Sequence, residues 1–380
     1  MNIASNDARI HIIGMDNIVD YLLDKGLIEV ESIVDGDLQI FDISRKNKNI
    51  KILSKSGWNL FLKQSNPSDN HSSVTIKRES LLYAMMQTET EFGPISHIAP
   101  KIRDFDENNN IMVTEFVPGD SWNQYIFTEP AMKIDKDIVT SLGNKIATYH
   151  QVFEKMCITN KKLNFLPKTF TFEKLLIHPG PEVFVNLSQA NMKLLKIVQQ
   201  DPKIYDNLQE LFANWDPKTL IHGDIKFDNI IVNLKNNRKE NIITDWEMAS
   251  IGDPGWDIGS IFQEFIRCWL YTLPLTGTET PHKLLDLSKN SLQNMQSALR
   301  IFWNEYIRVI QRNPKETNDL LIKSTKFCAA RLIQSAYEML HSQTELNNIA
   351  VYMIQIALNI FLNVNNATIH LLGIPFKLVL

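Results

Sequence analysis

The apolar positions of this chain change period near residue 117, and that change divides it. Up to that point the pattern is mostly of period two, the signature of strands. Residues 16–25 first read as a short helix, with Ile18, Val19, Tyr21, Leu22 and Leu23 apolar and Gly26 closing it. Residues 27–34 then read as a strand, Asp35-Gly36-Asp37 as a turn and 38–44 as a second strand. After the polar turn Arg45-Lys-Asn-Lys-Asn49, residues 50–53 and 58–63 continue an antiparallel meander. A polar loop over 65–73 leads to a helix over 74–86, with Ile76, Leu81, Leu82, Ala84 and Met85 available for packing. Residues 101–105 and 111–116 form one more β pair, and Val117-Pro118-Gly119 ends the β-rich part.

Beyond Gly119 the period is helical. Residues 135–156 carry a stripe of Ile138, Leu142, Ile146, Tyr149, Val152 and Phe153. Weaker helices cover 187–199 and 205–215, and long ones 283–311, 318–341 and 346–364, while 219–260 holds short strands. The expected class is α+β: a small β-rich lobe over 1–117 and a larger, mainly helical lobe over 118–380.

Composition narrows the function classes. The chain has 380 residues, enough for two lobes, and is 44% hydrophobic and 22% charged, as in ordinary soluble proteins. A net charge of -4 gives no sign of a nucleic-acid partner. The most apolar stretch, 349–362, is short and interrupted by Gln355 and Asn359, so a buried helix is expected and no membrane partner. Met1-Asn-Ile-Ala-Ser-Asn-Asp has neither the basic start nor the apolar core of a secretory signal. Cys157, Cys268 and Cys328 lie far apart without metal-ligand spacing, which suits reduced core thiols and a cytoplasmic location. There is no Gly-x-Ser-x-Gly elbow, no Walker-type loop, no dinucleotide fingerprint and no zinc motif.

The chemistry concentrates in His222-Gly-Asp-Ile-Lys-Phe-Asp-Asn229, followed by Ile230-Ile-Val, and in Ile242-Ile-Thr-Asp245-Trp-Glu247. A carboxylate on a rigid turn orients a hydroxyl and accepts its proton, which assigns Asp224 as a catalytic base. Asn229 and Asp245 are hard oxygen donors beside apolar strands, suited to Mg2+ on nucleotide phosphates. Lys226 is placed to neutralise charge on the transferring phosphate; a plain surface lysine is the competing reading. Lys63 closes a strand and Glu79 lies near the start of the next helix, a pair able to reach and fix phosphates, with Lys55, Lys77 and Glu89 as rivals. Asp257, opening the helix after Gly252-Asp-Pro-Gly-Trp-Asp257, is expected to accept backbone donors of the catalytic turn; Asp253 suits a cap and His222 a scaffold role.

These residues resemble the aminoglycoside phosphotransferase and choline kinase-like branch of the protein-kinase-like fold. His222–Asn229 is similar to that family's catalytic loop and Asp245-Trp-Glu247 to its metal-binding segment. Val113-Thr-Glu-Phe-Val-Pro-Gly119 is similar to its inter-lobe linker, and Leu142-Gly-Asn-Lys-Ile-Ala-Thr-Tyr-His150 to the helix leading towards the loop. The resemblance implies a bilobal kinase using ATP and Mg2+. Asp224 is then the base, Asn229 and Asp245 the metal ligands, and Lys63 with Glu79 the phosphate-positioning pair. Backbone groups near Glu115 and Val117 would hold the adenine, and the single glycine Gly36 would mark the amino-terminal phosphate loop. About ten residues separate Asp245 from the Asp257 helix, leaving no protein-kinase-type activation segment.

The acceptor is the less determined half of the reaction. Residues 271–340 hold nine Lys/Arg against six Asp/Glu, which does not favour a polycationic aminoglycoside, although Glu247 and Glu264 could form a cation-facing pair. A hydroxyl-bearing small molecule, metabolite or antibiotic, is the first expectation. The alternative is Ser/Thr of a precursor peptide, as in peptide natural-product pathways (lanthipeptide or thioamitide type), whose kinases the stretch Arg331-Leu-Ile-Gln-Ser-Ala-Tyr-Glu338 resembles. A pseudokinase acting as a nucleotide-binding module should lack one of Lys63, Asp224, Asn229 or Asp245; all four are present.

Overall fold

The computed structural model describes residues 12–44, 47–66, 69–156, 161–168, 176–184, 187–235, 238–274 and 281–378. The chain divides into two compact units, Met1–Pro118 with Ile242–Met248, and Gly119–Asn241 with Ala249–Leu380. A single cut near residue 117 therefore misses one exchange: the segment carrying Asp245 packs with the amino-terminal unit. It is held there by Ile243 N donating to Ile98 O at 2.8 Å and by Trp246 N donating to Glu79 Oε1 at 2.9 Å.

The first unit opens with helix α1 (Ile18–Asp24), which ends at Gly26 with φ of 63°. Residues 27–34 correct the expectation of a strand: Val30–Val34 is a short helix, α2. Its residues pair with no strand among the described residues, and Val30, Ile33 and Val34 are exposed. The local closures Asp35 N to Glu31 O and Asp37 N to Ser32 O are satisfied instead. Strands β1 (Leu38–Asp42), β2 (Lys48–Ser54), β3 (Asn59–Gln64), β4 (Ile102–Asp106) and β5 (Ile111–Glu115) form an antiparallel sheet in the order β1-β2-β3-β5-β4. Because strand side chains alternate, Leu60 and Leu62 face one side with Ile50, Ile52, Ile111 and Val113, and Ile18, Tyr21 and Leu22 of α1 cover them. Each such fully buried aliphatic side chain contributes about 1.5–3 kcal/mol. Helix α3 (Asn70–Thr88) begins a turn earlier than its pattern suggested and buries Ile76, Glu79, Leu82, Tyr83 and Met86; Leu81, read as a packing position, is exposed.

The second unit contains β6 (Asp120–Ser121), α4 (Trp122–Thr128), α5 (Lys136–Met156), α6 (Gln189–Gln200) and α7 (Pro202–Ala213). Strands β7 (Thr219–Ile221) and β8 (Ile230–Lys235) bracket the segment His222–Asn229, β9 (Arg238–Ile243) follows, and β10 (Ser250–Gly252) pairs antiparallel with β7. Helices α8 (Pro254–Tyr271), α9 (Pro281–Ile310), α10 (Pro314–Met339) and α11 (Asn348–Leu362) complete it. Every residue of α8 from Pro254 to Ile266 is buried, so this helix is the axis of the unit. It lies very close to α10: a Cβ on Gly259 would meet Ser324 O at 2.7 Å and Cys328 N at 2.8 Å. Gly259→Val is accordingly expected to cost about 1–3 kcal/mol in denaturant unfolding, since backbone rather than a flexible side chain must give way. A midpoint unchanged from wild type would contradict that packing.

Helix α11 buries Ala350, Met353, Ile354, Ala357, Ile360 and Phe361, as the apolar stretch suggested. No single described helix is long and apolar enough to cross a membrane. Cys268 and Cys328 are buried free thiols whose pKa burial pushes up, which makes them unreactive packing groups. Cys157 lies outside the described residues.

Candidate active site

In the amino-terminal unit the site is built on β3. Lys63 sits on the central strand between Asn49 of β2 and Met112 of β5, with its side chain 6% exposed. Its ammonium contacts three carboxylates: Glu79 Oε2 at 2.9 Å, Asp245 Oδ1 at 2.5 Å and Glu247 Oε2 at 2.9 Å. Burial works against the charge on Lys63, but the three carboxylates outweigh it and hold its pKa well above the ordinary lysine value. Glu79 is itself buried, and burial pushes its carboxyl pKa up although Lys63 opposes the shift. Tyr83 OH at 3.0 Å and Trp246 N at 2.9 Å also donate to Glu79. Lys63 and Glu79 are thus brought together, and Lys55 and Lys77 bond elsewhere, to Gly36 O and to Glu107.

Asp245 has φ of 63°, the left-handed region that aspartate tolerates better than most side chains. Trp246 anchors the segment, its indole Nε1 donating to Ile243 O at 2.9 Å. Glu247, read from sequence as one of a cation-facing pair, is bound to Lys63 and accepts from Asn47 Nδ2 at 3.2 Å. Ser72 Oγ in turn donates to Asn47 Oδ1 at 2.7 Å. The ligand oxygens of Glu79, Asp245 and Glu247 lie within 4.8 Å of one another, a hard-donor set that suits a divalent cation as well as an ammonium.

Gly36 is not part of this cluster. It follows α2 with φ of 64° and accepts from Lys55 Nζ through its carbonyl at 2.7 Å. Register puts it at the opposite end of the sheet from Lys63, since Leu38 pairs with Ser54 while Lys63 pairs with Asn49. Asn47, just before β2, lies at the Lys63 end of the sheet, since nearby Asn49 pairs with Lys63. At the linker, Glu115 N donates to Lys101 O at 2.7 Å and Phe116 N to Asn59 O at 2.9 Å; Val117 is half-buried.

In the second unit, β7 delivers the chain into His222-Gly223-Asp224, where Gly223 takes φ of 81°. Asp257 at the start of α8 accepts from His222 N at 2.7 Å, Gly223 N at 3.2 Å and Tyr149 OH at 2.5 Å, the role expected of it. Trp256 Nε1 donates to Gly223 O at 2.9 Å, and Asp224 N donates to the buried His222 Nδ1 at 3.3 Å. Asp253 caps α8, accepting from Gly255 N. On the far side of the loop, Phe227 packs in the core against Trp122 and Phe265, and its N–H donates to Glu264 Oε2 at 2.8 Å. Glu264 is 2% exposed and forked by Arg267, so it is a loop anchor and not a cation-facing group. Asn229 Nδ2 donates to Asp224 O at 3.1 Å, tying both ends of the motif together.

The carboxylate of Asp224 is flanked by Lys226 Nζ at 3.2 Å from Oδ2 and Arg331 Nη2 at 3.5 Å from Oδ1. Lys226 also contacts Glu338 Oε2 at 3.1 Å; burial opposes its charge, but Asp224 and Glu338 prevail and raise its pKa. The Asp224 carboxylate thus sits on a turn held by Asp257, Trp256 and Glu264, with a cation beside each oxygen that favours its charged form.

The family model described as the phosphotransferase enzyme family matches residues 38–274. No curated protein matches the chain. Among solved structures, the amicoumacin kinase hAmiN, in complex with AMP-PNP, Ca2+ and Ami, is similar over 93% of this chain and 98% of its own, with a TM-score of 0.54 and 12% identity. The ternary complex of streptomycin, ATP and APH(2")-IIa is similar over 92% and 97%, at 0.48 and 15%. The choline kinase LicA from Streptococcus pneumoniae is similar over 90% and 99%, at 0.45 and 12%. The likeness to hAmiN, at 12% identity, is one of fold. With a family match over more than half its length and a kinase-like α+β fold to agree with it, the chain belongs to the phosphotransferase enzyme family.

Proposed function

We propose that this enzyme is an ATP-dependent O-phosphotransferase that moves the γ-phosphate to a hydroxyl of a small-molecule acceptor, a metabolite or an antibiotic. The observation that carries this reading is the catalytic turn: Asp224 stands between two cations on a loop pinned by Asp257, Trp256 and Glu264. Asp224 takes the hydroxyl proton as the acceptor oxygen forms its bond to the γ-phosphorus and the bond to the β-phosphate oxygen breaks, leaving ADP. Lys226 offsets charge on the phosphoryl group. Lys63, fixed by Glu79, steadies the nucleotide phosphates, and linker backbone at Glu115 and Val117 takes the adenine. Asn229 and Asp245 are the residues that would hold Mg2+; their hard oxygens fit it, and the bound ion would neutralise phosphate charge.

The nucleotide analogue and divalent cation in the hAmiN complex support ATP and a metal as cofactors. The amino-terminal unit then serves the nucleotide and the second unit the acceptor. Reduced, buried Cys268 and Cys328 fit a cytoplasmic enzyme. Since Glu247 and Glu264 are both engaged, a polycationic acceptor gains no support from them.

The test is a screen of hydroxylated metabolites, antibiotics and Ser/Thr peptides with ATP labelled at the γ-phosphate. A labelled small molecule supports the proposal, whereas a labelled peptide alone would replace it with precursor-peptide phosphorylation. Asp245→Asn is expected to lower turnover about 100-fold or more, because an amide replaces a carboxylate that would hold Mg2+. Asparagine is the apt replacement because it also tolerates the positive φ. Turnover within threefold of wild type would remove Asp245 from the reaction.

A further inference from the structure

One feature of the second unit lies wholly outside the loop motif. Arg331, Gln334 and Glu338 occupy one face of α10 at helical spacing, and with the catalytic loop they close a circuit of side chains. Asp224 Oδ1 contacts Arg331 at 3.5 Å, and Arg331 Nη1 donates to Gln334 Oε1. Gln334 Nε2 donates to Glu338 Oε1 at 2.9 Å, Glu338 Oε2 contacts Lys226 at 3.1 Å, and Lys226 returns to Asp224 Oδ2 at 3.2 Å. Only Asp224 and Lys226 belong to the segment covered by the family model; the other three residues lie beyond residue 274.

We propose that this face of α10 is part of the phosphoryl-transfer site, with Arg331 and Glu338 as positioning residues for the base and for Lys226; the proposal rests on the phosphotransferase reading above. The two cations on Asp224 differ in a way that gives the circuit a direction. Arg331 is 1% exposed, lies over the Trp256 ring at 5.2 Å and reaches Ile225 O at 3.5 Å, so it is fixed. Among the described residues, Asp224 is the one carboxylate within 4.0 Å of it. A scaffold alone does not need a buried guanidinium against the catalytic carboxylate, since apolar packing of similar volume is commonly as stable. Lys226 and Glu338 are more open, with side chains 31% and 40% exposed. The oxygen held by Arg331 is therefore closed, while the oxygen held by Lys226 can be released. Glu338 offers Lys226 a second seat, so the acceptor hydroxyl reaches Asp224 Oδ2 without displacing a cation into solvent.

The experiment compares wild type, Glu338→Gln, Arg331→Lys, Lys226→Met and the Lys226→Met/Glu338→Gln double variant in the full chain. Phosphate release from labelled ATP with water as acceptor is measured, together with transfer to any acceptor found, nucleotide binding by calorimetry, and thermal unfolding. Glu338→Gln is expected to lower turnover about tenfold through misplacement of Lys226, with nucleotide affinity and unfolding temperature unchanged. The double variant should match Lys226→Met alone, because Glu338 acts through that lysine. Arg331→Lys should lower turnover without changing nucleotide affinity. Wild-type turnover in Glu338→Gln, or losses that multiply in the double variant, overturns the proposal while leaving the phosphotransferase reading intact. A wild-type protein that transfers phosphate neither to water nor to any acceptor overturns both.

Discussion

Replacing Asp224 with asparagine is expected to lower phosphoryl transfer by about 10²- to 10⁴-fold, the contribution of a positioned general base. Asparagine keeps the shape of the side chain and leaves the turn intact, because its anchors act elsewhere. Asp257 binds the amides of His222 and Gly223, and Trp256 binds the Gly223 carbonyl. What disappears is the charge proposed to take the proton. Nucleotide affinity should stay near wild type, since the groups proposed to hold the phosphates are Lys63, Glu79 and Asp245. Labelled-phosphate transfer and nucleotide calorimetry on the same preparation separate the two effects. An Asp224→Asn variant that keeps its rate within threefold of wild type would show that another group takes the proton.

The second large effect falls on Asp257, whose partners are the backbone of the turn and Tyr149 rather than the Asp224 carboxylate. Its buried carboxylate accepts from His222 N, Gly223 N and Tyr149 OH, and His150 Nε2 lies 3.5 Å away. Asp257→Asn places an amide among donors, so at least one loses its acceptor; a broken buried charge network of this kind costs about 3–5 kcal/mol. Burial pushes the Asp257 carboxyl upward, but His150, His222 and Tyr149 outweigh it and hold its pKa below the ordinary value of 3.8. A carboxylate depressed on folding contributes stability that is complete above the unfolded pKa and is lost as pH falls through the folded one. The gap in unfolding free energy between wild type and Asp257→Asn should thus be full at pH 7 and narrow only below about pH 4. A gap that narrows between pH 5 and 7 would contradict a depressed Asp257 carboxyl as its source. Activity falls with stability here, because Gly223 and Asp224 lose their support.

Asp224, Asn229 and the Asp257 turn lie in a run of local sequence whose residue types and spacing carry the chemistry directly. Lys63 and Glu79 were found by the alternation of β3 and the pattern of α3. Gly36 was misplaced because a glycine between acidic residues looks alike whether it ends a helix or opens a strand hairpin. Only the register of Leu38 with Ser54 shows which end of the sheet it occupies. Residues 27–34 failed similarly: β-branched residues favour a strand only where a partner strand exists.

The chain by itself therefore determined the change from strand to helix period, the α+β class, the long carboxy-terminal helices and the residues of the catalytic loop, since each depends on neighbours within a few positions. Tertiary structure decided what these residues touch. It paired Glu264 with Arg267 and gave Lys63 three carboxylates, Glu247 among them and Asp245 182 positions away. It also brought Arg331 against Asp224 across 107 positions. Contacts at such separations arise when packed helices and strands meet, and no local periodicity encodes which faces do so.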